Sequence, residues 1–422
     1  MWHRNTLLFL SLFLGGLLPA QTSLNAYGLG FESWAFDAAS MGASNSGLLP
    51  LYQEGVSLSN PTTWQQLRFV LISTTYGGQE VRDTRSQTLN GLASLDRVTF
   101  IMPIKNKYAW GFSVKPLYNL QFSFVDDSEQ IVLLEDTVQT HKSISSEGGI
   151  SSVNTTFSFP ISAKETAAFT IDWLFGSNRR EYTYLLDNST YLYFHRNVYS
   201  GSQMTVYLTS TRFQLIHKPT TLYSSVKLAL KPLRTRHYSF QPFEDINGDG
   251  IHDYGDFPNP SDLPVVEGQV LTGLHRFIQF RLGTDVNIRE RTHILWEGSV
   301  HKNKIRTPDL VALFPQYPDF SSRWSLGGVQ FSRKIPRSWY DRYHFRGGLY
   351  YQYRHFYPQD TGMNEYGISL GFGLNFGATN NQIDVGFLWG SRTSPLPIEE
   401  NFRQFNVSLS IGDVWFVKRR AR

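Results

Sequence analysis

The residues most able to do chemistry stand together at Asp245-Ile246-Asn247-Gly248-Asp249-Gly250-Ile251-His252-Asp253-Tyr254-Gly255-Asp256. Oxygen-bearing side chains fall at positions 1, 3, 5, 9 and 12 of this stretch, with glycine at position 6. A calcium loop of EF-hand type needs that spacing: hard oxygen donors wrap a hard cation, and the glycine permits the sharp turn. The carbonyl of Ile251 would supply the seventh-position ligand, and position 12 is Asp256 where glutamate is usual. The expected species is a structural Ca2+ held by Asp245, Asn247, Asp249, Ile251, Asp253 and Asp256, clipping an external loop over 239–274. No flanking helices are evident, so this is a clip and not a sensor. The plainer alternative is an Asp/Asn/Gly-rich surface turn.

Other chemistry is sparse. Zero cysteine removes disulfides, thiol catalysis, thiolate metal sites and a lipoprotein anchor. The eleven histidines are scattered, and His293 and His301, which share an expected strand, have no nucleophile motif beside them. No glycine-rich phosphate cradle is present, so the expectation is no enzyme. With 39 Lys+Arg against 35 Asp+Glu the formal charge is +4, too small and too dispersed to recruit nucleic acid.

The elements that would carry such a loop are strands. Aromatic residues make up 15% of the 422, charged residues 18%. A mean hydropathy of -0.28 excludes a bundle of membrane helices. A transmembrane β-barrel has this average, and so does a large secreted β-sandwich. Residues 1–20 read as a secretory signal peptide, with a twelve-residue apolar stretch from Leu7 to Leu18 and a cut ahead of Gln21. Beyond residue 65 the pattern has period 2: Tyr366, Ile368, Leu370, Phe372 and Leu374 alternate with Gly367, Ser369, Gly371, Gly373 and Asn375.

Runs of this kind number about fourteen, from 66–77 through 108–124 and 292–301 to 403–416. Short turns near 105–107, 163–165, 218–221, 289–291 and 378–380 alternate with long polar connections near 78–92, 125–148, 187–201, 239–274, 302–322 and 391–402. Segregation of short turns from long loops is how outer-membrane barrels are built, and a sandwich has no reason for it. The expected fold class is therefore all-β, a transmembrane antiparallel β-barrel over 66–416, in the outer membrane of a Gram-negative bacterium. Pro116 in the third strand and Pro232 in the seventh each remove a ladder hydrogen bond and predict a bulge or kink. Residues 21–65, rich in Gly, Ser and Ala, are too poor in apolar residues for their own core; they are a tail, or they fill a space the rest provides.

Three stretches resemble a known family. Ala39-Ser40-Met41-Gly42-Ala43 and Ser57-Leu58-Ser59-Asn60-Pro61 resemble the N-terminal plug of the long-chain fatty acid transporter family (FadL/TodX type). There a small-residue segment precedes an Asn-Pro-Ala element; here Thr62 takes the place of the alanine. Ile398-Glu399-Glu400-Asn401-Phe402 with Gly412-Asp413-Val414-Trp415-Phe416-Val417-Lys418-Arg419-Arg420 resembles the branch of Bacteroidetes-like bacteria that includes the PorV-type shuttle subunit of type IX secretion. The resemblance implies fourteen strands around an N-terminal luminal plug over 21–65, with Met41, Gly42, Asn60 and Pro61 in it, and a basic periplasmic tail at 417–422. It also implies a lateral exit for apolar ligands where Pro116 kinks the third strand.

The leading expectation is passive uptake of a hydrophobic, fatty-acid-like small molecule, with outer-membrane lipid as surroundings. The second is a PorV-type barrel that holds secreted cargo or secretion subunits on its external loops, for which Phe314, Tyr317 and Phe320 would supply aromatic tips. The third is a structural or adhesion barrel. An apolar luminal pocket above the plug would favour the first.

Overall fold

Alternating residues close into a wall. The computed structural model describes residues 23–413 apart from 27–28, 33–36, 85–88, 106, 126–128, 134–135, 187–188, 216–217, 261–263, 272–275, 305–316, 334–337, 358–359, 378–380 and 396–398. The expected signal peptide at 1–20, the Val414–Phe416 end of the last strand, the tail at 417–422 and Phe314 lie outside the described residues. The wall strands are β1 (Val70–Asp83), β2 (Leu89–Ile104), β3 (Tyr108–Asn119), β4 (Asp136–Ser162), β5 (Glu165–Leu186), β6 (Ser189–Leu215) and β7 (Lys218–Ser239). They continue as β8 (Arg276–Arg289), β9 (Thr292–Lys304), β10 (Tyr317–Gln330), β11 (Tyr343–Tyr357), β12 (Thr361–Phe376), β13 (Asn381–Thr393) and β14 (Glu399–Asp413). Each pairs antiparallel with the next, and β14 closes on β1 from Asp413↔Val70 to Glu400↔Asp83. The result is a closed antiparallel barrel of fourteen strands.

Strand alternation separates two surfaces. On β12, Tyr366, Ile368, Leu370 and Phe372 are exposed on the outer face while Ser369 is fully buried. Trp110, Trp173, Trp324 and Trp389 also point outward, and Trp339 and Tyr340 stand exposed beside the turn between β10 and β11. Aromatics spread over an apolar outer band suit a lipid boundary.

Where apolar alternation ends, the strands do not. β4, β5, β6 and β7 run for 27, 22, 27 and 22 residues. A tilted strand crosses the hydrocarbon in ~9–11 residues, so the remainder projects beyond it. The long polar loops expected at 125–148 and 187–201 are instead continuations of these strands, with Glu129–Leu133 paired to β4. The same correction holds at 78–92 and 391–402, where β1, β2, β13 and β14 extend further than expected. Past the lipid boundary the outer face meets water, and Thr and Tyr on both faces still favour a ladder. Likewise β7 starts at Lys218, inside the expected turn at 218–221, and Tyr317 and Phe320 belong to β10 and not to a loop tip. Pro232 falls where the β6–β7 register shifts, between Lys231 and Arg234.

Residues 37–66 form an inner segment. A one-turn helix, Ala38–Met41, is capped by Asp37, whose carboxylate accepts from Ser40 N–H at 2.8 Å; a 3-10 helix, Pro61–Gln66, follows Asn60. Ala38 N–H donates to Ser408 of β14, Ser46 to Glu297 of β9, and Gln65 to Ser158 of β4. From the wall, Arg97 of β2, Arg323 of β10 and Arg346 of β11 donate to the carbonyls of Leu58, Ser44 and Leu51. A segment bonded to strands all round the ring lies within it. Its apolar side chains Leu48, Leu49 and Leu51 pack on Tyr207, Tyr223, Leu295 and Phe331, and Tyr52, Leu58 and Trp64 pack on Leu71, Ile101 and Ala109.

Candidate functional site

The wall parts between β2 and β3. Their ladder runs from Ile104↔Tyr108 to Val98↔Val114 and stops. Beyond it, Leu89–Arg97 stays paired to β1 alone and Lys115–Asn119 to β4 on the far side. Two irregularities turn these edges apart. On β2, Thr75 faces Arg97 and Tyr76 faces Leu95, so Asp96 is an extra residue in a bulge. On β3, the register against β4 shifts between Pro116 and Tyr118, and Pro116 has no N–H to offer a ladder. Pro116 could be flagged from sequence; Asp96 could not, because an extra polar residue in a strand has no type signature.

A cavity of about 460 Å³ fills the parting. Leu95, Val98 and Val114 line it from the outer, exposed face, and Met41, Arg97 and Asn406 from within. The residual edge of β3 is partly covered by the two-residue strand Phe31–Glu32, which pairs as Phe31↔Asn119 and Glu32↔Tyr118. Glu32 turns its carboxylate inward to Lys227 Nζ at 3.9 Å and His301 Nδ1 at 3.6 Å. Nothing in the sequence around Phe31 distinguishes it as a strand.

The expected plug residues are all buried in the inner segment. Met41 borders the cavity. Gly42 lies backbone to backbone on the wall: a Cβ there would sit 2.5 Å from the Cα of Gly371, and one on Gly348 would sit 2.2 Å from the carbonyl of Ala43. The glycines read from sequence as a small strand face are where the helix touches the wall. Asn60 closes the chain on itself, donating to Leu48 O at 2.8 Å and accepting from Thr62 N–H and Oγ at 3.2 and 2.7 Å. Pro61 opens the 3-10 helix, where its missing N–H costs nothing. Thr62 also meets Thr209 of β6 at 2.6 Å, a tie that alanine could not make.

The inner wall is strongly polar. Arg346 pairs with Asp384 at 2.7 Å, His293 with Asp285 at 2.7 Å, and Arg392 bridges Glu365 and Glu400 at 2.8 and 3.2 Å. An apolar tunnel through the centre, the feature that was to favour uptake, is therefore not what these residues build. The apolar outer lining is at the parting.

The acidic loop folds back on itself. Asp245 accepts from Gly248 and Gly250 N–H at 2.8 and 2.9 Å, and Asp256 from Ile246 and Asp253 N–H at 3.1 and 2.8 Å. Asp249 and Asp253 direct one oxygen each at the amide nitrogen of Asn247, 3.2 and 3.3 Å away, and the N–H of Ile251 donates to Asp249. Gly248 and Gly250 adopt φ of +75° and +73°, with nothing near an added Cβ, so backbone conformation alone demands glycine there. Among the described residues no group of three His, Cys, Asp or Glu side chains converges on a metal position. A cation between Asp249 and Asp253 requires Asn247 to present its oxygen in place of its nitrogen, at the cost of the bond from Asp249 N–H.

The fold has solved counterparts. A FadL homologue from Pseudomonas aeruginosa superposes with a TM-score of 0.56 at 12% identity, covering 90% of this chain and 98% of its own. The TodX deltaS2S3 mutant monoaromatic hydrocarbon channel superposes at 0.50 with 11% identity, over 94% and 100%. The Pseudomonas putida toluene transporter TodX gives 0.49 at 10% identity, over 92% and 100%. At such identities the first two likenesses speak for the fold alone. No curated protein matches the sequence. A family model does, over residues 20–421: this outer-membrane barrel belongs to the BamG family.

Proposed function

We propose that the barrel exchanges an apolar small molecule between its lumen and the membrane through the β2–β3 parting. The cavity there carries this reading, because lipid-facing Leu95, Val98 and Val114 and luminal Met41 line one and the same space. Lipid-facing apolar side chains at one mouth give an apolar solute a path that never crosses water. The inner segment acts in this reading as a plug that denies water-soluble molecules the central route, with Met41 as the contact an arriving ligand meets first. FadL/TodX-type barrels share the fold, and hydrocarbon transport is what the TodX structures are described as doing. The test uses the absence of native cysteine. Leu95→Cys carrying a bulky maleimide should reduce entry of N-phenylnaphthylamine into proteoliposomes to the rate of protein-free vesicles. The same label at Leu370→Cys, on the outer face but away from the parting, should leave entry unchanged. Equal entry in both labelled proteins would remove the lateral route.

A second reading, a PorV-type platform for secreted cargo, draws on the projecting parts of β4 to β7, which are more surface than a passive channel requires. Calcium belongs to the same external face. We propose that Asp245, Asn247, Asp249, Asp253 and Asp256, with the carbonyl of Ile251, take Ca2+ at the ~10⁻⁴–10⁻³ M affinity of extracellular modules. A chelator should then increase proteolysis within 239–274 while the barrel stays folded. Identical digests with chelator and with millimolar calcium would leave an acidic turn.

A further inference from the structure

Next to the parting, inside the wall, a second and smaller cavity of about 60 Å³ is lined by four cations, Arg97, Lys115, Lys227 and Arg281, and two carboxylates, Glu32 and Asp172. It shares Arg97 and Lys115 with the cavity of the parting. Lys227 has Glu32 as its partner at 3.9 Å, and Asp172 lies within electrostatic reach of Lys115. The two guanidiniums are different. Arg97 donates to Thr99 Oγ, Ser59 Oγ and the carbonyl of Leu58; Arg281 donates to Ser225 Oγ at 3.0 Å and the carbonyl of Ser46 at 3.5 Å. Every one of those acceptors is neutral, and among the described residues neither guanidinium forms an ion pair. The next carboxylates, Asp37 and Glu297, accept from Ser40 and Ser46, and Asp37 and Asp172 lie within electrostatic reach of Arg97.

Two guanidiniums that line one small cavity and hydrogen-bond only to neutral acceptors would each gain a charge-assisted bond from an anion placed between them. The geometry points to an oxyanion site, and we propose that it takes a phosphate group. A phosphate carries up to two charges, matching the excess of four cations over two carboxylates in the cavity lining, and offers several oxygens to planar donor forks. The volume holds about four waters, which is room for one tetrahedral group and not for a chain. The apolar remainder of a phosphate-headed amphiphile would lie in the larger cavity, among Leu95, Val98 and Val114. The amphiphile arm rests on the lateral route proposed above; the anion site itself does not.

The experiment is calorimetric titration of the full-length barrel, purified in a non-ionic detergent and phosphate-free buffer, with inorganic phosphate, dodecyl phosphate, laurate and dodecanol. Dodecyl phosphate is expected to bind one to one and to be about ten- to a hundredfold weaker in Arg281→Gln, the loss of one charge-assisted contact. Inorganic phosphate competing at similar concentration marks a free-ion site; failure to compete marks a headgroup site. Lys227→Gln, outside the guanidinium pair, serves if Arg281→Gln does not fold, with a smaller loss in the same direction. Phosphate ligands that bind the variants as tightly as the native protein, or laurate and dodecanol binding as well as dodecyl phosphate, would overturn the site. Dodecanol entry through the parting, measured alongside, keeps the two proposals apart: it stays intact if only the anion site fails.

Discussion

A chain lacking residues 37–66 is expected to fold into a closed barrel and to leak. Every rung of the wall, from β1–β2 round to β14–β1, is made by residues 70–413. An eight-stranded barrel is just filled by its own side chains, and a fourteen-stranded ring is too wide for that. The inner segment supplies the missing volume, with Leu48, Leu49, Leu51, Tyr52 and Trp64 among the buried residues. Its removal leaves Arg97, Arg323 and Arg346 without their carbonyl acceptors, but in an open lumen water takes those places. Polar walls then favour an aqueous pore. Proteoliposomes of the deletion variant should swell in isotonic sugar and pass steady ionic current, while the native protein does neither. A deletion product that is degraded or unfolded would mean that the wall closes around the segment and needs it as a nucleus. A folded product as tight as the native protein would mean that the loops, and not this segment, seal the barrel.

How far the sequence foretold this arrangement depended on which physical signal each feature leaves. The strand number and the faces of β12 were legible because lipid imposes an apolar residue at every second position. Strand length was not, because the signal stops at the lipid boundary while β4 to β7 continue in water. Asn60-Pro61 and the small residues around Met41 and Gly42 were visible as composition, but the reason for the small residues is the contact of Gly42 and Ala43 with Gly371 and Gly348, more than three hundred residues away. Pro116 marked one side of the parting through its missing donor. The other side, the Asp96 bulge, and the covering strand at Phe31–Glu32 depend on register, which no single residue type announces. In the sequence the luminal charges stand only as single polar positions within an alternation. Their pairing across strands, on which the rigidity of the wall depends, is a property of the closed ring.

That rigidity is unevenly distributed, and Arg392 is where it should fail first. Its side chain is fully buried, donates to Glu365 at 2.8 Å and Glu400 at 3.2 Å, and stacks on the ring of Phe402 with 4.1 Å to the centroid. Glu365 also accepts from Arg354 at 2.8 Å and from Tyr350 Oη at 2.7 Å. The network thus joins β11, β12, β13 and β14 by side chains as well as by ladder, on a stretch of wall that the β2–β3 parting does not interrupt. Breaking a buried pair by removing one partner leaves an uncompensated charge, so Arg392→Met should destabilise the barrel by ~3–5 kcal/mol in equilibrium unfolding from detergent or lipid. Arg392→Lys should fall between, since one ammonium cannot reproduce two separate guanidinium contacts. Adding Glu400→Gln to Arg392→Met should recover part of the loss, because the carboxylate that lost its guanidinium is then gone. Entry through the parting should be unaffected in all three while they remain folded. If Arg392→Met unfolds like the native protein and Glu400→Gln brings no recovery, water already screens these charges, and the stiffness of this side of the wall rests on its ladder alone.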